Sequence, residues 1–138
     1  MKKTLEKLAL LILLTLSFLA PVVVLAAGDD VPRISIQELK KMMDNKIDVV
    51  ILDAQPKRAY DKGHIKGAIS FPWALKLNEE QIAALPKGKP IIVYCDCGPG
   101  ETDSVSVAER LLDLGFNDVK VLQDPSIRGW KEAGFPIE

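Results

Sequence analysis

Short apolar runs alternate with segments of helical hydrophobic spacing along most of the chain. The runs at residues 49–52 and 91–94 consist almost entirely of Val, Ile and Leu. Continuous apolar runs of this length are typical of strands buried on both faces of a parallel sheet. Further strands are predicted at residues 33–36, 69–71 and 119–122. The first and last of these are predicted to be edge strands, the last because its apolar and polar residues alternate.

Helices are predicted between these strands. Ser35, followed three residues later by Glu38, is a capping-box signal for a helix start. Further helices are predicted at residues 56–62, at residues 79–85, after Ser104 and from Asp124 onwards. Strands and helices that alternate in this way predict a three-layer α/β/α fold, with helices on both faces of a central, mostly parallel sheet of about five short strands.

The first 26 residues are predicted to be an export signal. Three lysines precede an uncharged run over residues 8–27, and the small residues Val24 and Ala26 suit the positions before a signal-peptidase cut. An uncleaved membrane anchor is the alternative, because an uncharged run of about 20 residues can span a bilayer. Either way we expect export, to the periplasm or the cell exterior. One domain is predicted at residues 33–138, after a linker at residues 27–32.

The predicted domain is mildly acidic. The whole chain has 18 basic and 19 acidic residues, and removal of residues 1–26 takes away three lysines and one glutamate. The remainder has 15 basic and 18 acidic residues, a net charge of −3. This balance argues against nucleic acid or an anionic membrane surface as a partner, because neither would find a basic patch. We expect a monomer, with membrane contact only through an uncleaved N-terminal segment.

The candidate chemistry is concentrated after the strand at residues 91–94. Cys95 ends this strand, a glycine-rich loop follows, and a helix begins near Ser104. Open α/β folds keep their chemistry at such strand ends, and a helix N-terminus favours a thiolate over a thiol. Gly98 and Gly100 let the loop amides point inward as an anion-holding nest. A thiolate in this position can attack sulfur and hold it as a persulfide.

Cys97 is the second cysteine of the chain and lies two residues after Cys95. Two cysteines in an exported domain can be thiols, a disulfide or metal ligands. As a second thiol, Cys97 can resolve a Cys95 persulfide, which releases sulfide and leaves a Cys95–Cys97 disulfide. The pair makes a poor metal site, because no histidine or methionine is nearby in the sequence. We therefore expect neither a metal nor another cofactor.

Five motifs in order resemble the rhodanese-like family over nearly the whole predicted domain. They are Leu52-Asp53, the Gly-His-Ile segment at residues 60–68, Val93-Tyr94-Cys95, Leu114-Gly115-Phe116 and residues 130–136. The resemblance implies a rhodanese fold in a single domain and a persulfide-forming Cys95. It also implies a small sulfur-containing donor and a thiol acceptor, which includes the thiol of another protein.

The chain departs from the family's pattern around the active cysteine. Family members usually carry a basic residue in this loop, whereas here the loop holds Asp96, Glu101 and Asp103. Three carboxylates are expected to disfavour the thiolate and to repel an anionic donor such as thiosulfate. The glycine pair that is usual after the last strand is replaced by Asp124-Pro125-Ser126. The arginine that a phosphatase-like relative needs at the end of the loop is missing.

The other candidate residues are weaker. Pro99 completes the loop, and the hydroxyls of Thr102 and Ser104 are candidate donors to the sulfur. Asp53 follows a strand directly, and we expect it to cap the next turn, with a pocket role as the alternative. His64 is the only histidine. A structural role with a hydrogen bond to the backbone is favoured over a catalytic one.

Three functions fit these residues. The first is an exported sulfurtransferase with Cys95 as nucleophile and sulfur carrier. The second is a non-catalytic binding module on the same fold, which the acidic loop and the missing glycine pair suggest. The third is a redox protein that cycles Cys95 and Cys97 between dithiol and disulfide.

Overall fold

The structure is a computed structural model that describes residues 31–138. The predicted export signal and residues 27–30 of the predicted linker lie outside the described residues. No helix within 31–138 is long and apolar enough to cross a membrane.

Five strands and five helices alternate along the described residues. The strands are β1 (Arg33–Ile34), β2 (Val50–Asp53), β3 (Ile69–Ser70), β4 (Ile91–Tyr94) and β5 (Val119–Leu122). The helices are α1 (Ile36–Asp44), α2 (Lys57–Tyr60), α3 (Glu79–Ala84), α4 (Thr102–Asp113) and α5 (Ser126–Glu132). The predicted alternation is confirmed, and so is the capping box, in which Ser35 Oγ accepts from Glu38 N and the Glu38 carboxylate accepts from Ser35 N.

The five strands form one sheet in the order β1-β5-β4-β2-β3, and every neighbouring pair is parallel. The predicted α/β class and the edge position of β1 are confirmed. The prediction that β5 is an edge strand is wrong, because β5 lies between β1 and β4. Lys120 gives β5 its alternating pattern, but its ammonium group reaches the Asp118 carboxylate at 3.2 Å while the strand itself is internal.

The central position of β4 explains its continuous apolar run. All four of its residues are buried, and successive side chains point to opposite faces of the sheet. Ile91 and Val93 belong to an apolar cluster that includes residues of α4. Ile92 and Tyr94 belong to a second cluster, which includes residues of α1 and α5. The sheet is therefore the middle of three layers, and β4 connects both halves of the core.

The folded domain begins earlier than the predicted boundary at residue 33. Val31 is only 4% exposed and packs in the same cluster as Val93. The Pro32 carbonyl accepts a hydrogen bond from Val121 N at 2.8 Å. The last two residues of the predicted linker are thus part of the domain, because they extend the pairing of β1 with β5.

Candidate active site

Cys95 lies directly after β4, at the carboxyl end of the most central strand. Its side chain packs in the apolar cluster below α4, and the residue is only 2% exposed. The loop of residues 96–101 then leads to the N-terminus of α4. The helix N-terminus opposite the sulfur favours a negatively charged sulfur, and the apolar cluster around it opposes that charge.

A disulfide joins Cys95 and Cys97. Their Cα atoms are 5.5 Å apart, which is within the usual range for a disulfide. Cys97 is partly buried and packs against the same cluster as Cys95. No group of three or more His, Cys, Asp or Glu side chains in the described part of the chain is placed to hold a metal ion. In this disulfide form Cys95 has no thiolate, so the disulfide must be reduced before Cys95 can attack sulfur.

The loop after Cys97 curls through three residues of positive φ. These are Gly98 at 74°, Gly100 at 91° and Glu101 at 45°. Glu101 N donates to the Gly98 carbonyl at 3.2 Å, and it is the only backbone amide of residues 96–101 with a partner among the described hydrogen bonds. Pro99 has no N–H, and the amides of Asp96, Cys97, Gly98 and Gly100 have no partner among the described hydrogen bonds. Backbone amides without a partner in a curled, glycine-rich loop can form an anion-binding nest.

Ser104, on the first turn of α4, is the hydroxyl that the fold brings to Cys95. Its Oγ lies 3.4 Å from Cys95 Sγ and is fully buried. In the disulfide form the sulfur has no hydrogen, and the Ser104 hydroxyl donates to the Glu101 carbonyl at 3.0 Å. The same hydroxyl can rotate to donate to a Cys95 thiolate after reduction. Thr102, the other predicted donor, is exposed.

The Glu101 carboxylate is buried and paired on both oxygens. It is 4% exposed, its Oε2 accepts from Arg33 Nε at 3.1 Å, and its Oε1 accepts from Asp124 N at 2.8 Å. A guanidinium from β1 therefore offsets the charge of this carboxylate. Glu101 instead ties the loop to the edge strand and to the segment that follows β5.

Asp96 is also paired with an arginine that is distant in sequence. Arg128 Nε, on α5, lies 2.8 Å from Asp96 Oδ1, and another nitrogen of the same guanidinium lies 3.1 Å from Asp124 Oδ1. Asp103 is the one of the three loop carboxylates for which the described residues give no ion pair. The basic groups that the loop itself lacks thus come from β1 and α5. Sequence reasoning missed both, since neither arginine lies near Cys95 in the chain.

Asp53 serves the strand ends next to Cys95. It is fully buried, and its Oδ2 accepts from Tyr94 Oη at 2.6 Å and from Gln55 Nε2 at 3.1 Å. Gln55 N donates to its other oxygen at 2.8 Å, and Tyr94 Oη accepts from Ile65 N at 3.1 Å. Burial, and then the negative charge of Asp53, raise the pKa of Tyr94 well above its ordinary value. Asp53 both caps its own turn and holds β2, β4 and the Ile65 turn together.

His64 belongs to the same structural region. Its ring stacks on Tyr60 with the ring centroids 3.6 Å apart, and its Nδ1 lies 3.0 Å from the Tyr60 carbonyl. The backbones of His64 and Glu138 exchange two hydrogen bonds, of 2.9 and 3.0 Å. The stacked ring and the paired backbone hold the turn before β3 against the last residues of the chain.

The family model described as "Rhodanese-like domain" matches residues 35–133. The chain is 31% identical, over 108 residues, to the adenylyltransferase and sulfurtransferase UBA4 of Meyerozyma guilliermondii. It is 39% identical, over 74 residues, to the thiosulfate sulfurtransferase GlpE of Coxiella burnetii. These alignments cover 73% and 54% of this chain, but only 24% and 64% of the respective relatives.

The fold matches solved structures over the same region. The BH2092 protein of Bacillus halodurans superimposes with a TM-score of 0.70 at 30% sequence identity. The match covers 78% of this chain and 76% of that protein. Together with the family model, this likeness assigns the fold and the family: the chain belongs to the rhodanese-like domain family.

Proposed function

We propose that this protein is an exported sulfurtransferase that carries sulfane sulfur as a persulfide on Cys95 and passes it to a thiol or another nucleophilic acceptor. One observation carries the proposal. Cys95 is buried at the carboxyl end of the central strand, and the Ser104 hydroxyl lies 3.4 Å from its sulfur. The names of two relatives, GlpE and UBA4, describe sulfurtransferases, which supports the same class of reaction.

Loading begins from the reduced protein. The Cys95 thiolate attacks the outer sulfur of a donor, and the donor's remaining part leaves with the bonding electron pair. With thiosulfate as donor, the leaving group is sulfite. The new terminal sulfur carries a negative charge, which the free amides of Cys97, Gly98 and Gly100 are suited to stabilise.

In delivery of the sulfur, the Cys95 persulfide is the donor and the acceptor thiolate is the nucleophile. The acceptor thiolate attacks the terminal sulfur, and Cys95 leaves as a thiolate that accepts a hydrogen bond from Ser104. The N-terminus of α4 stabilises this leaving thiolate in the same way as it stabilises the attacking one. One set of donors therefore assists both half-reactions, so no further acid or base has to reach the buried sulfur.

The charges around the loop favour a neutral or cationic donor. Glu101 is balanced by Arg33, and Arg128 is shared between Asp96 and Asp124. With Asp103 added, the four carboxylates exceed the two guanidinium groups. A dianion such as thiosulfate is repelled by this excess, so we expect it to load the protein slowly.

Export is part of the proposal. The basic start, the uncharged run and the small residues at 24 and 26 support it, and a disulfide such as Cys95–Cys97 persists best in an oxidising compartment. Cell fractionation with N-terminal sequencing tests it. We expect the protein outside the cytoplasm with Ala27 as its first residue, whereas a cytoplasmic protein with its N-terminus intact would refute export.

A turnover assay tests the transfer reaction. The reduced protein is mixed with thiosulfate and a small thiol acceptor, and sulfite and the persulfidated thiol are measured. We expect Cys95→Ser to abolish both products and Cys97→Ser to retain them. Equal turnover by Cys95→Ser and wild type would refute the role of Cys95. No turnover by any form, with any sulfane donor, would favour the non-catalytic binding module.

The Cys95–Cys97 disulfide favours a second candidate function, dithiol–disulfide exchange. In a series of thiol–disulfide buffers the pair should convert reversibly between the two forms, with a potential in the range of oxidoreductases and not of structural bridges. A disulfide that stays closed under all but the strongest reductants would exclude this candidate.

A further inference from the structure

We propose that Cys97 attacks the Cys95 persulfide and expels its outer sulfur, so that the loaded protein releases sulfide. This inference rests on the proposed loading of Cys95 and gives the site a second activity, persulfide reduction. The bond between Cys95 Sγ and Cys97 Sγ is the bond that such an attack forms. The resolved product is therefore a conformation that the loop already adopts.

The backbone places both sulfurs on one side. The chain bends at Asp96, between the two cysteines, and the Cα atoms of Cys95 and Cys97 are 5.5 Å apart. Cys95 and Cys97 pack against the same apolar cluster. The intervening Asp96 points to α5, where Arg128 Nε holds its carboxylate at 2.8 Å. Cys97 thus lies beside Cys95, while the side chain between them pairs with α5.

Access to the sulfur also favours Cys97 over an external thiol. Cys95 is 2% exposed, so an external acceptor has to enter the loop to reach its persulfide. Cys97 already lies beside Cys95 in the loop. A correctly placed intramolecular group reacts as if it were present at a very high effective concentration. We therefore expect the attack by Cys97 to be faster than transfer of the outer sulfur to a dilute external thiol.

The step balances without an outside oxidant or reductant. The Cys97 thiolate attacks Cys95 Sγ, the bond between Sγ and the outer sulfur breaks, and its electron pair leaves with the outer sulfur. This sulfur takes up one proton from water and departs as hydrosulfide. Cys97 and Cys95 are oxidised to the disulfide, while the sulfane sulfur is reduced to sulfide.

A dithiol reductant restores the starting state. Its thiolate attacks Cys97 Sγ, which is the more exposed of the two sulfurs, and Cys95 leaves as the thiolate that Ser104 and the helix N-terminus stabilise. With thiosulfate as donor, the net reaction converts thiosulfate and two thiol groups into sulfite, sulfide and one disulfide.

A single-turnover experiment tests the inference. The full-length protein is reduced, freed of reductant and mixed with thiosulfate, whose own co-product is sulfite, so any sulfide must come from the persulfide. Sulfide is measured, and intact mass and thiol alkylation are recorded at the same times. Cys97→Ser and Cys97→Ala serve as matched variants, and circular dichroism confirms that each is folded.

We expect wild type to release close to one sulfide per loaded protein and to end as the disulfide. Both Cys97 variants should keep a stable persulfide and release sulfide only after a thiol is added. A persistent wild-type persulfide with an alkylatable Cys97 would overturn the inference and leave the proposed function standing. If neither variant loads sulfur with thiosulfate or with inorganic polysulfide, the proposed function and the inference both fail.

Discussion

Asp53 and Glu101 are both buried carboxylates at the carboxyl end of the sheet, but they are held in different ways. Asp53, fully buried, accepts only from neutral groups, the Tyr94 hydroxyl and the two Gln55 N–H donors. Glu101, 4% exposed, accepts from the guanidinium of Arg33 and from the Asp124 amide.

This difference separates a structural region from a reactive one. The Asp53 network is closed, because its donors come from the ends of β2 and β4 and leave both carboxylate oxygens occupied. Glu101 binds partners outside the loop, so it fixes the loop's end without using the loop's own amides. The Asp53 network thus supports the strand ends next to Cys95, while the loop after Cys95 has backbone amides without a partner among the described hydrogen bonds.

Removing the Asp53 carboxylate should have the largest effect on stability. Asp53→Ala leaves the Tyr94 hydroxyl and the Gln55 amide buried without an acceptor, which is expected to lower the free energy of unfolding by about 3 kcal/mol or more. Urea denaturation measures this loss. Asp48→Ala, at an exposed carboxylate, is the control and should change stability by less than about 0.5 kcal/mol. A loss below about 1 kcal/mol for Asp53→Ala would contradict the closed network.

Tyr94→Phe should cost about 2 kcal/mol, because it leaves the Ile65 amide and one Asp53 oxygen without this partner. It should also change the pH dependence of stability. The pKa of Tyr94 is raised in the folded protein, so above the ordinary tyrosine value of 10.0 only the unfolded chain loses this proton. The free energy of unfolding should therefore fall as pH rises above 10 in wild type and in Tyr60→Phe. The account would be wrong if Tyr94→Phe showed the same decline.

Glu101→Gln should separate stability from reactivity. The substitution keeps the shape but sets an amide against Arg33, with a stability cost of about 1 kcal/mol. We expect sulfur loading of Cys95 to slow by about tenfold, because the loop end is no longer fixed. The rate of Cys95 alkylation, measured across pH, is the readout. Arg33→Gln should change this rate in the same direction as Glu101→Gln. An unchanged alkylation profile in a folded Glu101→Gln protein would show that Glu101 is only structural.

The smallest expected effect is a change in the rate of sulfur loading when the Asp103 carboxylate is removed. Asp103→Asn removes a loop carboxylate and should raise the loading rate with thiosulfate by about twofold at low salt, a gain that salt reduces. Asp113→Asn changes an exposed carboxylate at the other end of α4 and should leave the rate unchanged. A slower Asp103→Asn protein would refute the proposed repulsion.

Local signals in the sequence predict much of this fold. The buried run of β4, the capping box at Ser35 and the glycine-rich loop each depend on neighbouring residues, so the alternation of strands and helices follows from them. The internal position of β5 does not follow from local signals, because Lys120 gives an internal strand the pattern of an edge strand. The partner of Glu101 could not be predicted either, since Arg33 lies 68 residues away in the chain.

The position of the transferred sulfur decides whether Cys95 is the sulfur carrier. Reduced Cys97→Ser protein is treated with thiosulfate, alkylated, digested and examined by tandem mass spectrometry. The account predicts a gain of one sulfur atom on Cys95, reversed by a thiol and absent from Cys95→Ser treated in the same way. A sulfur gain in Cys95→Ser, or folded and reduced Cys97→Ser protein that takes up no sulfur from any sulfane donor, would contradict it.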